Sequence, residues 1–249
     1  MSIEDEDDLQ GMLAAGHVVR TALDAMRAAV APGVTTAALD AIAERVMREH
    51  GARSAPQLVY DFPGVTCISV NDELVHGIPS RARTLGEGDL VKLDVTFEKA
   101  GYMADAAITV PVGVVSPRAR ALADCAERAF QQALREVRPG RRVRDIGRAI
   151  EQEVHRAGFS VVRMLQGHGI GHTIHEDPMV PNWDDPAGEA VLTEGLVITV
   201  EPIIAMGTGD AYEAEDGWTI RTSDGSFAAH HEHTLVVREG GPLLLTVAA

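Results

Sequence analysis

The chain has only two cysteines, Cys67 and Cys125. At most one bridge can form, which excludes a disulfide-stapled secreted scaffold and points to a reducing compartment, the cytoplasm. Aromatics make up 4% of the 249 residues, so the core must be built from Leu, Ile, Val and Ala. Basic residues are outnumbered: 22 Lys and Arg face 37 Asp and Glu, for a formal charge of −15. That balance argues against direct nucleic-acid binding and against docking on anionic membranes, since both need clustered cations. There is no run of 18 apolar residues, so no membrane span is expected. The N-terminal stretch lacks a basic segment followed by an apolar one, so no secretory leader is read. Its acidic run, Glu4-Asp5-Glu6-Asp7-Asp8, reads as a solvated face or a frayed end.

The length and the 45% apolar content suit one large domain, or two tightly fused halves with a real core. Helical periodicity is clear in four places. Leu9, Met12, Leu13, Gly16, Val19, Leu23 and Met26 form one stripe, which stops near Pro32-Gly33. Thr36 is expected to cap a second helix that buries Leu39, Ile42, Val46 and Met47 and stops at Gly51. Ser116 with Pro117 opens a third, carrying Leu122, Cys125, Ala129 and Ala133 as far as Pro139-Gly140. The fourth carries Val143, Ile146, Ile150 and Val154 and ends at Gly158. Strands are expected at 66–70, 89–97, 105–112, 196–204, 218–221 and 228–237.

A shift of 107 residues superposes the two halves. Val30-Ala31-Pro32-Gly33 falls on Val137-Arg138-Pro139-Gly140, Leu39 on Ile146, Gly51 on Gly158, and Leu85-Gly86-Glu87-Gly88 on Leu192-Thr193-Glu194-Gly195. The same shift brings Asp94 onto Glu201, each near the end of an apolar strand. An unbroken offset implies two helix-helix-strand units related by a pseudo-two-fold axis, with halves at about 1–112 and 113–249. The class is α+β.

Buried carboxylates are costly unless a proton or cation compensates them. Asp94 sits in Val91-Lys92-Leu93-Asp94-Val95, and Asp105 begins Asp105-Ala106-Ala107-Ile108-Thr109-Val110. A hairpin turn at Lys99-Ala100-Gly101 would set these two acids side by side. Glu201 follows Leu196-Val197-Ile198-Thr199-Val200, and Glu232 lies in His230-His231-Glu232-His233-Thr234. Adjacent carboxylates repel unless a cation lies between them. Four acids on four apolar strands therefore point to a metal site.

Gly167-His168-Gly169-Ile170-Gly171-His172-Thr173-Ile174-His175 offers His168 as a nitrogen ligand and His175 as a polar group nearby. The stretch is neither a dinucleotide fingerprint nor a phosphate loop, and the histidines around Glu232 do not make a zincin pair. His172, His230, His231 and His233 read as supporting or surface groups. A lone His76 before Gly77 reads as an ordinary loop or core histidine. Four carboxylates and one imidazole are an oxygen-rich donor set, unlike that of a structural zinc. Such a set suits a pair of divalent ions roughly 3.5–4 Å apart, whose natural chemistry is hydrolysis.

The order Asp94, Asp105, His168, Glu201, Glu232 resembles the ligand set of the methionine aminopeptidases, within the wider "pita-bread" metallopeptidases. The resemblance also rests on Asn71-Asp72-Glu73-Leu74-Val75-His76-Gly77-Ile78-Pro79, Gly167-His168-Gly169-Ile170-Gly171, Val200-Glu201-Pro202 and Glu232-His233-Thr234, and it covers essentially the whole chain. It implies a single catalytic domain over residues 1–249, two pseudo-symmetric halves around a curved antiparallel sheet, and the compact type I bacterial form. It implies two divalent ions of Co, Mn, Fe, Zn or Ni. Asp105 and Glu232 would bridge them, Asp94 would hold one, and His168 and Glu201 the other. It further implies attack of a bridging hydroxide on the scissile carbonyl, with Glu201 moving the proton and His76 and His175 contacting the peptide. The implied substrates are N-terminal Met peptides and nascent chains with a small second residue, met by a monomer in transient association with the ribosome.

Phe62, Cys67 and Trp218 match positions of the methionine pocket. The segment Val59-Tyr60-Asp61-Phe62-Pro63-Gly64 departs from the family pattern, with Phe62 where tyrosine is usual, and Ile174 replaces a common aromatic. Two other readings remain open: a related peptidase of Xaa-Pro or dipeptide specificity, and a non-catalytic binding protein on the same fold.

Overall fold

The computed structural model describes residues 1–247. The first half runs α1 (Glu6–Ala29), α2 (Thr36–Glu49), β1 (Arg53–Ser54), α3 (Ala55–Tyr60), β2 (Cys67–Val70), β3 (Glu73–Val75), β4 (Leu90–Lys99) and β5 (Tyr102–Pro111). The second runs α4 (Pro117–Leu134), α5 (Val143–Arg156), β6 (Ser160–Val161), β7 (Gly167–Gly169), β8 (Glu176–Val180) and β9 (Val197–Val200). It closes with β10 (Ile203–Ala205), β11 (Ala211–Glu213), β12 (Ile220–Thr222), β13 (Ala228–His230), β14 (Glu232–Val236) and β15 (Leu243–Leu244).

The acidic N-terminal run starts a helix and is not frayed. Asp5 accepts from the Asp8 N–H at 3.0 Å, and Glu6, Asp7 and Asp8 fill the first turn of α1. Negative charge there favours the positive end of the helix dipole. The cap of α2 is Thr35, one residue before the expected Thr36: its hydroxyl accepts from the Ala38 N–H. Thr36 is instead buried, and its hydroxyl exchanges hydrogen bonds with the Ser80 backbone. Ser116 caps α4 as expected, but that helix stops at Leu134, ahead of Pro139-Gly140.

The offset of 107 survives in three dimensions. Residues 36–49 become 143–156 in α5, and 53–54 become 160–161 in β6. Ser54 pairs with Phe97, and Val161 pairs with Ile204. The isolated bridges Thr35 to Thr84 and Arg142 to Val191 keep the same spacing. Gly33 and Gly140, with φ of 89° and 84°, make the same left-handed turn before each second helix, a conformation that glycine adopts without strain.

A nine-stranded sheet holds the two halves together, in the order β1-β4-β5-β14-β9-β7-β8, with β2 also on β4 and β15 also on β14. Its pairings are antiparallel. Alternation along β4 decides its two faces. Val91, Leu93, Val95 and Phe97 pack into the cluster under α1 and α2. Asp94 and Thr96 face the other way, into a cavity. A second cluster seats α4 and α5 on Ile198, Val200 and Leu235.

Two expected strands are broken. The stretch 196–204 splits at Glu201-Pro202 into β9 and β10, and 228–237 splits at His231 into β13 and β14. β9 and β14 belong to the large sheet, whereas β10 lies between β13 and β6 in a separate three-stranded sheet. Proline cannot donate to a ladder, which favours the break at Pro202. The strand expected at 218–221 begins at Ile220 and pairs with β3 and β11.

Gly16 lets the backbone of Leu245 cross directly over α1; a Cβ there would overlap the Leu245 carbonyl. Gly16→Ala gains about 1 kcal/mol of helix propensity. It loses about 1–3 kcal/mol to overpacking against backbone that has nowhere to move. The expected net result is a lower midpoint in urea, read from a denaturation curve.

Candidate active site

Five neighbouring strands each bring one donor to the same face. Asp94 comes from β4, Asp105 from β5, Glu232 from β14, Glu201 from the residue after β9, and His168 from β7. Asp94 and Glu232 both lie opposite Ala107, on its two sides. Cross-strand partners share a face, so Asp94, Ala107 and Glu232 point together, and the alanine methyl leaves room between two acids. Asp105 is two residues along the same strand. It lies opposite Thr96, so it is a diagonal neighbour of Asp94 and not its direct partner as expected from the hairpin.

The backbone around these residues is tied down. The Thr234 hydroxyl accepts from the Asp105 N–H and donates to the Asp105 carbonyl, both at 2.8 Å. The Thr199 hydroxyl accepts from the His168 N–H at 3.1 Å and donates to Glu201 Oε2 at 2.9 Å. Asn182 donates to the Glu201 carbonyl at 3.0 Å. His168 Nδ1 lies 2.8 Å from the Gly169 carbonyl. A carbonyl can only accept, so Nδ1 carries the proton and Nε2 keeps its lone pair for the site. That Nε2 is 3.7 Å from Glu201 Oε2.

The electrostatics of this cluster suit a cation. Donor atoms of Asp105, His168 and Glu232 all lie within 4.8 Å of one another. Burial pushes the Asp105 carboxyl up to about 7 and the Glu201 carboxyl up to about 8. Asp94 and Glu232 are raised well above the usual range, first by burial and then by the neighbouring acids. Burial lowers His168 to about 3, which leaves a neutral imidazole able to act as a ligand. Asp105 Oδ1 and Glu232 Oε1 are buried without any hydrogen-bond partner among the described residues. Unsatisfied buried carboxylate oxygens are expensive, and a divalent ion satisfies them. The donor set fits a metal.

All ten residues singled out from the sequence line one cavity of about 300 Å³: Phe62, Cys67, His76, Asp94, Asp105, His168, His175, Glu201, Trp218 and Glu232. Phe62 packs edge-on against Trp218, with ring centroids 5.1 Å apart. Cys67 is buried opposite Asp94, and both cysteines are free thiols. His76 holds a left-handed backbone, φ 58°, just after β3. Such a conformation is uncommon for a residue with a side chain and gathers at functional sites. The His175 ring lies beside His168, with centroids 4.2 Å apart and the planes tilted by 59°.

Tyr60, Thr96 and His230 are among the lining residues not proposed from the sequence. Tyr60 reaches His175 Nδ1 at 2.6 Å. Thr96 shares the face of Asp94. His230, expected to be a supporting or surface group, is 2% exposed and lines the cavity. The alternation of His230 with Glu232 along one strand direction was the signal available for it. Of the other three histidines in that group, His172 is exposed, His231 is half-buried and His233 is buried.

The fold and the cluster define a metallopeptidase, and the chain belongs to metallopeptidase family M24, whose profile matches residues 10–239. The chain is 43% identical over 247 residues, 99% of each chain, to methionine aminopeptidase 2 of Bacillus subtilis. It is 41% identical to methionine aminopeptidase 1 of Mycobacterium tuberculosis, covering 96% of this chain and 92% of that one. The crystal structure of methionine aminopeptidase from Thermotoga maritima superposes over the full length of both chains, with a TM-score of 0.96 and 34% identity. Prolidase from Pyrococcus furiosus shares the fold, with a TM-score of 0.81 at 23% identity, and this chain covers 66% of it.

The raised carboxyls give a pH dependence with a definite sign. A carboxyl whose folded pKa exceeds its unfolded value contributes stability below the unfolded pKa and loses it as pH rises through the folded value. With a chelator present, the melting temperature is therefore expected to fall between about pH 6 and about pH 9, through the values for Asp105 and Glu201. Added Mn²⁺ or Co²⁺ should restore it, with the larger gain at the higher pH, because ligands bind deprotonated. Thermal melts with and without metal check this; a chelated protein whose melting temperature rises over that range contradicts it.

Proposed function

We propose that this chain is a metal-dependent aminopeptidase that releases the initiator methionine from peptides and nascent chains with a small second residue. The carrying observation is one donor from each of five adjacent strands, all lining a cavity that also holds His76, His175, Phe62 and Trp218. In this reading two divalent ions bind, drawn from Co, Mn, Fe, Zn or Ni. Asp105 and Glu232 would be shared by both, Asp94 would hold one, and His168 with Glu201 would hold the other. Bound ions supply a water of lowered pKa and polarise the scissile carbonyl.

The chain's own groups do the rest. Glu201 takes a proton during attack and returns it to the leaving amine. The Thr199 hydroxyl donates to Glu201 Oε2 at 2.9 Å and holds the carboxylate in orientation. His76 and His175 contact the scissile peptide and stabilise negative charge on its oxygen. Phe62, Cys67 and Trp218 form the apolar slot for the methionine side chain. Tyr60 steadies His175, its hydroxyl 2.6 Å from Nδ1; donation by that hydroxyl would place the ring proton on Nε2.

The whole of 1–249 acts as one catalytic domain, its halves at about 1–112 and 113–249 meeting at the metal site. We further propose that it works as a cytoplasmic monomer in transient contact with ribosomes. In the described residues no helix is long and apolar enough to cross a membrane. The rival reading, an Xaa-Pro or dipeptide-cleaving enzyme, is separated by substrate choice: the proposal expects Met-Ala-Ser to be cut and Ala-Pro peptides to be spared. The reverse preference overturns it. Glu201→Gln should lower turnover by about 10²-fold or more in the metal-loaded enzyme. Tyr60→Phe should lower kcat by roughly tenfold with KM little changed, since it frees the His175 tautomer without touching the methionine slot. Steady-state kinetics on a methionyl tripeptide read both.

A further inference from the structure

His230 is the one buried histidine of the cavity wall whose two ring nitrogens both lack a hydrogen-bond partner among the described residues. An imidazole always presents at least one N–H, and in its neutral form one lone pair. Burying both unpaired costs on the order of 1–3 kcal/mol for each group. A native protein tolerates that where a ligand meets the group.

The backbone holds His230 in place. Its N–H donates to the Thr109 hydroxyl and its carbonyl accepts from that hydroxyl, both at 2.8 Å. It pairs with Ile203, two residues beyond Glu201. These contacts fix the backbone from which the ring projects. Its Nε2 points at Glu232, 3.4 Å from Oε2. Two donors bound to one ion at about 2.1 Å with a tetrahedral angle stand about 3.4 Å apart. The separation is that of two ligands on one cation, and it is longer than a good hydrogen bond. Glu232 Oε1, the other oxygen, is also buried and unpartnered, and remains available to Asp105 and the rest of the cluster.

We propose that His230 is a sixth protein ligand of the metal centre, placing an imidazole nitrogen on the ion held at the Glu232 Oε2 side. This rests on the metal reading of the five-residue cluster. It makes the centre richer in nitrogen, two imidazoles with four carboxylates. Such a set shifts preference away from Mn²⁺ and toward the borderline ions Co²⁺, Ni²⁺ and Zn²⁺.

The test uses the full chain, stripped of metal and titrated with Co²⁺ while the visible absorption and the binding heat are followed. Native protein, His230→Gln and His230→Ala are compared, and melting of the metal-free proteins reports their folding. The proposal expects both variants to bind one Co²⁺ step at least about tenfold more weakly, with a changed visible band. It also expects native protein with ¹⁵N-labelled histidine and ¹¹³Cd to show metal coupling to two histidine rings, a result that needs no variant. Coupling to His168 alone, or identical Co²⁺ binding by native and variant proteins, overturns the role of His230 and leaves the five-residue site standing. Unchanged metal binding with a raised KM would make His230 a substrate contact and would also overturn it. A native protein that binds no Co²⁺ overturns both readings.

Discussion

Four carboxylates buried on one face of a sheet repel one another and lose their hydration, and this penalty shapes the rest of the molecule. Asp94, Asp105, Glu201 and Glu232 all have their carboxyls driven upward by burial, with like charge adding to it at Asp94, Glu201 and Glu232. Only protons or cations relieve such a cluster. The apolar cores under α1 and α2 and under α4 and α5 supply the favourable burial that allows the sheet to carry it. His168, locked by Gly169 and Thr199, adds a lone pair and no further charge.

Position follows from duplication. Each half contributes a helix pair and a strand, and the strands meet where β5 pairs with β14. Neither half has the full donor set. Several candidate site residues stand where regular strand geometry breaks. Glu201 and Glu232 stand where the chain leaves one sheet for another, which frees their side chains from a simple alternation. His76 sits at a left-handed residue after β3. The mouth of the cavity is set by α3, whose Tyr60 reaches across to His175.

Much of this was readable from residue pattern. The offset of 107 gave the matching spans of α2 and α5, because Gly33 and Gly140 mark the same obligatory turn. The four acids stood out because charged residues in apolar strands demand compensation, and His168 because it lies in a glycine-rich stretch. What could not be read was register and break. The hairpin predicted that Asp94 and Asp105 stand side by side, but the two-residue offset that makes them diagonal on one face depends on where the turn closes. Short elements such as α3, β1 and β6 carry too few residues for periodicity, so Tyr60 was missed. Thr35 and Thr36 are chemically alike, and only packing against Ser80 decides which of them caps α2. His230 was discounted because three histidines crowd Glu232 and sequence alone does not separate the inward ones from the rest.

The proposed site depends on convergence: donors from both halves would hold a shared pair of divalent ions. Anomalous diffraction from crystals grown with Mn²⁺ or Co²⁺ measures this most directly, because it locates each ion independently of the protein atoms. The account predicts two peaks roughly 3.5–4 Å apart, enclosed by Asp94, Asp105, His168, Glu201 and Glu232. Fully loaded crystals with no peak among those side chains, or with ions bound only elsewhere, would contradict it.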